Sequence, residues 1–395
     1  MNLTLFRFPQ LAMLMAAETI HLSSYSWALA ASARGSSSSD DVNPSAIISN
    51  GILNLGNTCY INAQLQCAFH IPYIRSLILD RDRPEVEESP GLLGLRTIFA
   101  QMLDSTSTTS STPTIKRPAS TAVFCRCLGI NPMEQQDAQE FWKLLLPELQ
   151  LPKLLDLYSG SYEDYIVACD NSGRERRREE PFLDLSLEVT PGSVMTSMKQ
   201  MFNEPELLSV DEGNGWRPEK NAEKVDALKG QLLRAHGLPS LLQLHLKRFR
   251  YDWQTDTTSK LNDRFVFPKE LYLKEVCTDI QKEDERLAKY DLQSVVVHVG
   301  HYGSGHYYTY CRPDFTKDQW FRFDDDRVTP VDYSDVIADA YGGRASVQQP
   351  GEKRRLRWFG GGGNRQTFGF GGKESCAYML QYVRKCDVPL LYGQR

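Results

Sequence analysis

No stretch of this chain reaches the ~18 uninterrupted apolar residues that a membrane-crossing helix needs, so a membrane span is not expected. There is no large basic patch, and the formal net charge is −5, which argues against nucleic acid as a partner. The nine cysteines are an odd number, scattered without the spacing of a disulfide framework. That scatter argues for a reducing compartment. Internal repeats are absent. The glycine cluster Gly360 to Gly363 lacks the Lys-Ser/Thr of a phosphate-binding loop. Histidine is scarce, with seven in 395 residues, so each can be weighed as a candidate base. What remains, 41% hydrophobic and 24% charged residues, suits a globular protein of one large or two ordinary domains.

The most informative stretch is Gly51-Ile-Leu-Asn-Leu-Gly-Asn-Thr-Cys59-Tyr-Ile-Asn-Ala-Gln-Leu-Gln66. A glycine-containing loop runs into a cysteine, and Tyr60, Ile61, Ala63, Leu65, Ala68 and Phe69 then recur with helical spacing. A helix is expected to begin at or near Cys59. Helix starts carry unpaired N–H groups and partial positive charge, and a thiol placed there ionises more readily. A lone cysteine is more often a small buried hydrophobe, but this setting favours a nucleophile.

A cysteine nucleophile needs a base, and the base needs an orienting partner. Three histidines fall in the run His298-Val-Gly-His301-Tyr-Gly-Ser-Gly-His306-Tyr-Tyr-Thr-Tyr310. Two strands are expected, Val295 to Val297 and Tyr307 to Arg312, joined by a glycine-rich turn at Gly300 to Gly305. The strand Trp320-Phe-Arg-Phe then ends in Asp324-Asp325-Asp326. An antiparallel hairpin would return Asp324 to His306, where it could accept the imidazole N–H. Asp325 is the second candidate. His298 and His301 read as strand and turn residues. His245, alternating with Leu244 and Leu246, should point off the apolar face of a strand. Asn57 and Asn62 are read as shaping the loop and the helix start.

The segment around Cys59 resembles the Cys box of the ubiquitin-specific protease family, and Val296 to Asp325 resembles its His box. Glu134-Gln-Gln-Asp-Ala-Gln-Glu-Phe141 is similar to its "QQDAxEF" helix, Leu242-Gln-Leu-His-Leu-Lys-Arg-Phe249 to its "LxLxLKRF" strand, and Ala377-Tyr-Met-Leu-Gln-Tyr-Val-Arg384 to its closing strand. The resemblance covers roughly residues 50 to 388. It implies an α+β, papain-like cysteine protease with thumb, palm and fingers subdomains and an antiparallel sheet, Leu242 to Tyr382, in the palm. A strand pair around Tyr162 to Val189 would form the fingers. The implied activity is a thiol protease that removes ubiquitin from ubiquitinated proteins through an acyl-enzyme, without a cofactor. A catalytically silent ubiquitin-binding module, or a protease for a ubiquitin-like modifier, are the alternatives.

By the same resemblance Cys59 matches the nucleophile, His306 the general base, Asp324 the orienting acid and Asn54 the side-chain donor of an oxyanion hole. Asp137 and Glu140, three residues apart, would share one helix face opposite a buried stripe of Ala138, Phe141, Leu144 and Leu145. They become candidates to hold arginines of the ubiquitin tail, with Gln136 and Tyr307 as further substrate-binding residues. Many relatives bind a structural zinc through two Cys-x-x-Cys pairs. Here Cys169 is followed by Ser172, and Gly213 to Lys229 contains no cysteine, so no zinc is expected. Cys125 and Cys127 read as buried thiols. The zinc-less pattern, with Tyr251-Asp-Trp-Gln-Thr-Asp256 and Phe323-Asp-Asp-Asp326, resembles the branch containing the herpesvirus-associated member.

Residues 1–49 are expected to be an N-terminal tail, disordered or targeting. Its apolar stretch Phe8 to Ala17 precedes a small-residue run, Trp27 to Ala33, but Glu18 and His21 interrupt it. The expected compartment is cytoplasm or nucleus. Gly35 to Asp41 reads as a linker, and residues of about 104–121 and 346–375 as low-complexity loops, the latter holding Lys353-Arg-Arg355. Arg174 to Glu180 reads as a solvated, charged turn, and residues 389–395 as a C-terminal tail.

Overall fold

Apolar residues at helical spacing dominate the first part of the domain, and helices form there. The computed structural model describes residues 47–80, 89–104, 117–278, 280–343 and 374–393. Strand β1 (Ile52–Leu53) leads into α1 (Cys59–Phe69), followed by α2 (Pro72–Leu79) and α3 (Pro90–Asp104). Strand β2 (Ala119–Ser120) pairs in parallel with β1. Helices α4 (Ala122–Leu128), α5 (Ala138–Glu148) and α6 (Pro152–Tyr158) complete this layer. Proline opens α2 and α6, where its missing N–H costs nothing. Gly129, left-handed at φ +65°, closes α4.

Alternating and β-branched sequence then takes over. Strands β3 (Gly160–Ala168), β4 (Glu175–Phe182) and β5 (Leu185–Glu188) precede α7 (Val194–Asn203), β6 (Glu206–Leu208) and β7 (Ala227–Leu232). After them come β8 (Leu241–Lys247), β9 (Phe249–Asp252), β10 (Thr257–Lys260), β11 (Glu270–Tyr272), β12 (Lys289–His301) and β13 (Ser304–Cys311). The chain continues through β14 (Trp320–Asp324), β15 (Arg327–Val331), α8 (Tyr333–Ala340), β16 (Cys376–Arg384) and α9 (Val388–Tyr392). One eight-stranded sheet runs β15-β14-β13-β12-β16-β8-β5, with β11 on β12. A separate four-stranded sheet runs β4-β3-β7-β6.

The eight-stranded sheet is apolar on both faces because each face covers its own core. Val296, Tyr307, Cys311, Phe321 and Phe323 face the helical layer. Their strand neighbours Val295, Val297, Tyr308, Tyr310 and Trp320 pack on the other side with Val336 and Ala340 of α8. This alternation is the period of two of a strand buried on both sides. Helix α1 is buried over its whole length and packs on β13, which brings the Cys59 loop to the rim of the sheet.

The strands between Leu242 and Tyr382 pair antiparallel, and β5, which lies outside that range, adds a parallel edge on β8. Several expectations change. The run Arg174 to Glu180 is mostly strand, because β4 pairs with β3 from Glu175 onward with its side chains in solvent. The turn after His298 is shorter than expected, since pairing continues to His301↔Ser304 and leaves Tyr302 and Gly303 to reverse the chain. Residues 388–392 are a helix whose Leu391 and Tyr392 are core, not tail. The loop of about 104–121 ends in β2, and Thr121 holds the N-cap position of α4 without a side-chain cap bond. Cys127 is half-buried, whereas Cys125 is buried. Residues 1–46, 105–116, 344–373 and 394–395, with most of the tail and loop readings, lie outside the described residues. Among the described residues no helix is long and apolar enough to cross a membrane.

Candidate active site

The loop before α1 is organised by one side chain. Asn54 Oδ1 accepts from the backbone N–H of Gly56 (3.0 Å) and of Thr58 (3.1 Å). The Thr58 hydroxyl in turn accepts from Leu55 N–H at 3.0 Å. Gly56 holds φ +137°, a backbone conformation that a residue with a Cβ rarely adopts. Cys59 follows as the first residue of α1 and is 2% exposed. Asn57 pins the loop from outside, its N–H donating to Pro132 O at 2.7 Å and its amide to Met133 O.

His306 comes from β13 and Asp324 from the end of β14, which pairs antiparallel with β13. His306 Nε2 lies 2.7 Å from Asp324 Oδ1 and 4.0 Å from Asp325 Oδ2. The orienting position therefore belongs to Asp324. Burial opposes charge on the His306 ring, but the hydrogen bond to Asp324, the nearby Cys59 and the Asp324 charge outweigh it. The imidazole moves from 6.5 up to about 10. Burial likewise works against Asp324, yet His306 and Arg322 hold its carboxyl below the usual carboxylate value. The three groups lie far apart along the chain and meet where the rim of the sheet touches the start of α1.

Asp325 has a different set of partners. It turns the chain at φ +53° and accepts from Asn54 Nδ2 at 3.0 Å and Asn62 Nδ2 at 2.8 Å. Burial raises its carboxyl above the ordinary value, against the pull of these bonds. An amide has two N–H donors, so Asn54 gives one to Asp325 and retains a second. The same turn meets the nucleophile loop directly. Ile52 N–H donates to Asp325 O at 2.8 Å, and a Cβ on Gly51 would lie 2.3 Å from Asp326 backbone.

Beside this centre lies a cavity of about 370 Å³, lined by Gln136, Asp137, Glu140, Phe249, His298 and Tyr307 among others. Asp137 is not on a helix face. It is the N-cap of α5, with Oδ1 accepting from Gln139 N–H (2.8 Å) and Glu140 N–H (3.1 Å), and Oδ2 from the Tyr378 hydroxyl. Leu144 is 40% exposed, so the buried stripe of α5 passes through Phe141 and Leu145 and leaves Leu144 at the cavity rim. Tyr307 is buried with its ring against His298 and Tyr378, at centroid distances of 4.7 and 5.5 Å. His298 is buried on β12, held neutral by burial and driven down to about 3, while His301 is exposed at the strand end. His245 contacts Ser186 Oγ at 3.0 Å.

Ubiquitin carboxyl-terminal hydrolase is the family whose model matches residues 50–382. This chain belongs to that family. It is 32% identical over 357 residues to Ubiquitin C-terminal hydrolase 13 of Arabidopsis thaliana, covering 85% of this chain and 29% of the relative. Ubiquitin C-terminal hydrolase 12 of the same plant is 33% identical over 352 residues, again with 85% and 29% coverage. Ubiquitin carboxyl-terminal hydrolase 15 of Saccharomyces cerevisiae is 32% identical over 357 residues, covering 85% of this chain and 27% of that protein. The chain therefore spans less than a third of the length of these relatives.

At the end of β3 in the four-stranded sheet, the surroundings of Cys169 are those of an ordinary surface strand. Cys169 is exposed, its N–H donates to Asp226 O at 2.8 Å, and the neighbouring Asp170 is engaged by Arg174. One thiol among such groups does not make a tetrahedral zinc set. Among the described residues the only group of three or more metal-type donors is His306, Asp324 and Asp325. Those atoms are already bonded to one another or to Asn54, Asn62 and Arg322.

Sequence reasoning missed three contributors. Gln135 spans from the helical layer to β13, donating to Gly305 O at 2.6 Å and accepting from Gly305 N–H at 3.0 Å. Its neighbour Gln136 had drawn attention instead. Asn62 looked like a helix-start residue but holds Asp325. Arg322 donates to Asp324 Oδ2 at 2.8 Å, and its place two residues before an acid on a strand was the signal available.

Proposed function

We propose that this chain is a thiol-dependent deubiquitinating hydrolase acting at the C-terminal glycine of ubiquitin. The observation that carries the reading is the 2.7 Å contact of His306 Nε2 with Asp324, on an imidazole whose charged form the nearby Cys59 also favours. With Nε2 engaged by Asp324, Nδ1 serves the sulfur. Cys59 attacks the glycine carbonyl carbon, and its proton resides on His306. The oxyanion takes hydrogen bonds from Asn54 and from backbone N–H groups near Cys59. His306 then protonates the lysine amine as the C–N bond breaks, leaving a thioester. Water, deprotonated by His306, attacks the thioester, the C–S bond breaks and the thiol is restored.

In this reading the helical layer is the thumb, the eight-stranded sheet the palm and the four-stranded sheet the fingers of a papain-like protease. The ubiquitin tail runs through the cavity past Tyr307 and Gln136. Glu140, exposed at the rim, is the stronger candidate for a tail arginine, because Asp137 already satisfies a helix cap and Tyr378. Such chemistry belongs in cytoplasm or nucleus.

The test is incubation with ubiquitin, and with ubiquitin-like proteins, bearing a thiol-reactive electrophile at the C-terminus. A ubiquitin adduct lost in Cys59→Ser supports the reading. Binding without an adduct would instead establish a silent module, and an adduct only with another modifier would change the substrate.

A further inference from the structure

The acid behind the catalytic histidine is not left to itself. On β13 and β14 the residues His306, Tyr308, Tyr310 and Trp320, Arg322, Asp324 alternate to one face of the sheet, opposite the helical layer. His306, nearest the rim, is the member of this row that meets Cys59. Asp324 gives one oxygen to His306 and the other to Arg322 Nη2, at 2.7 and 2.8 Å. The Arg322 guanidinium lies over the Tyr308 ring, 4.1 Å from its centroid. The hydroxyls of Tyr308 and Tyr310 both donate to Asp339 Oδ2 on α8, and Ser375 donates to the other Asp339 oxygen.

Resting on the reading above, we propose that Arg322 is a positioning residue for the hydrolysis. It fixes the carboxylate plane of Asp324 so that Oδ1 faces His306, and it is itself held by Tyr308 and, through that ring, by α8. A carboxylate bonded on one oxygen alone can rotate about its Cβ–Cγ bond. A second charge-assisted bond to the other oxygen removes that freedom. Arg322 Nε is buried without a hydrogen-bond partner, so the side chain stays in this place despite an unsatisfied donor. The charged or titratable groups that face the Arg322–Asp324 pair are His306, Asp325, Tyr308, Tyr310, Asp339 and, across the β14–β15 ladder from Asp324, Arg327.

The experiment compares wild type with Arg322→Met, Arg322→Gln and Arg322→Lys in the full chain. Active sites are counted with the ubiquitin electrophile. Per titrated site, kcat on a ubiquitin C-terminal amide should fall about 10- to 100-fold in the Met and Gln variants, the range typical of groups one step behind a reactive centre. KM should stay within about twofold of wild type, since Arg322 is placed behind the carboxylate and away from the substrate cavity. The acid limb of Cys59 alkylation by iodoacetamide should move to higher pH, because a loosely held Asp324 supports the imidazolium less. Lys, which keeps the charge, should recover most of both effects. If the Met and Gln variants keep wild-type kcat per site and an unmoved alkylation profile, whatever their melting temperature, Arg322 is merely structural and the proposal fails while the catalytic reading stands. A wild-type chain that forms no Cys59 adduct removes both.

Discussion

The seam between the helical layer and the eight-stranded sheet differs in construction from the four-stranded sheet beyond it. The seam is crossed by side-chain amides and hydroxyls on fixed partners: Gln64 to Met379 Sδ, Asn54 and Asn62 to Asp325, Gln135 to Gly305, and Tyr378 to Asp137. The four-stranded sheet carries its charge in water. Arg177 meets Glu163 and Glu175 at 2.6 and 3.1 Å, and Arg178 meets Glu180 at 2.8 Å, on a strand whose side chains are mostly exposed. Apart from the exposed Asn54–Asp325 bond, these seam bonds are buried or part-buried and hold a geometry, whereas exposed ion pairs exchange readily with water. Placement at the ångström level is therefore expected at the seam, and tolerance of change in the outer sheet.

The sharpest contrast should come from Asn54. In Asn54→Ala, kcat on a ubiquitin C-terminal amide should fall about 10²–10³-fold, because the donor proposed for the oxyanion and the brace of the Cys59 loop are both lost. A variant that retains wild-type turnover would place the seam on the same footing as the surface.

Acid should weaken the seam next. His70 and His298 are buried and neutral, each driven from 6.5 down to about 3 by burial. Between those values the unfolded chain binds protons that the folded chain refuses, so stability falls as pH drops below 6.5. The slope is about 1.4 kcal/mol per pH unit for each histidine. His306 has the opposite sign. Its raised value favours the fold below 6.5, and that contribution is lost as pH rises toward about 10. Denaturant midpoints measured from pH 7 to pH 4 should decline; a flat series would mean that these rings protonate within the fold.

The smallest effect belongs to the outer sheet. Arg177→Ala removes two exposed ion pairs and should alter unfolding free energy by no more than about 0.5 kcal/mol. A loss of several kcal/mol would show that this sheet, too, depends on specific polar contacts.

The same contrast explains what could be read from the chain before folding. Cys59, His306 and Asp324 were legible because a loop-to-helix cysteine, a histidine after a glycine turn and an acid ending a strand each leave a local signature. The helix after Cys59 was legible for a similar reason, since apolar periodicity is local. Cross-seam partners were not. Nothing near Gln135 announces that its amide will meet Gly305, and Asn62 reads as a helix residue until Asp325 turns back toward it. Asp137 and Glu140 show how spacing misleads. Three residues apart implies one helix face, but the helix starts after Asp137, which becomes its cap. The charged run after Arg174 looked like a turn because charge reports exposure and not conformation; β4 is exposed and still a strand.

The most direct measurement is steady-state release of a reporter amide from the ubiquitin C-terminus by wild type, Cys59→Ser and His306→Ala, each checked for folding. Turnover by wild type and its loss in both variants is the expected result. Turnover that survives in Cys59→Ser would contradict a mechanism centred on that sulfur.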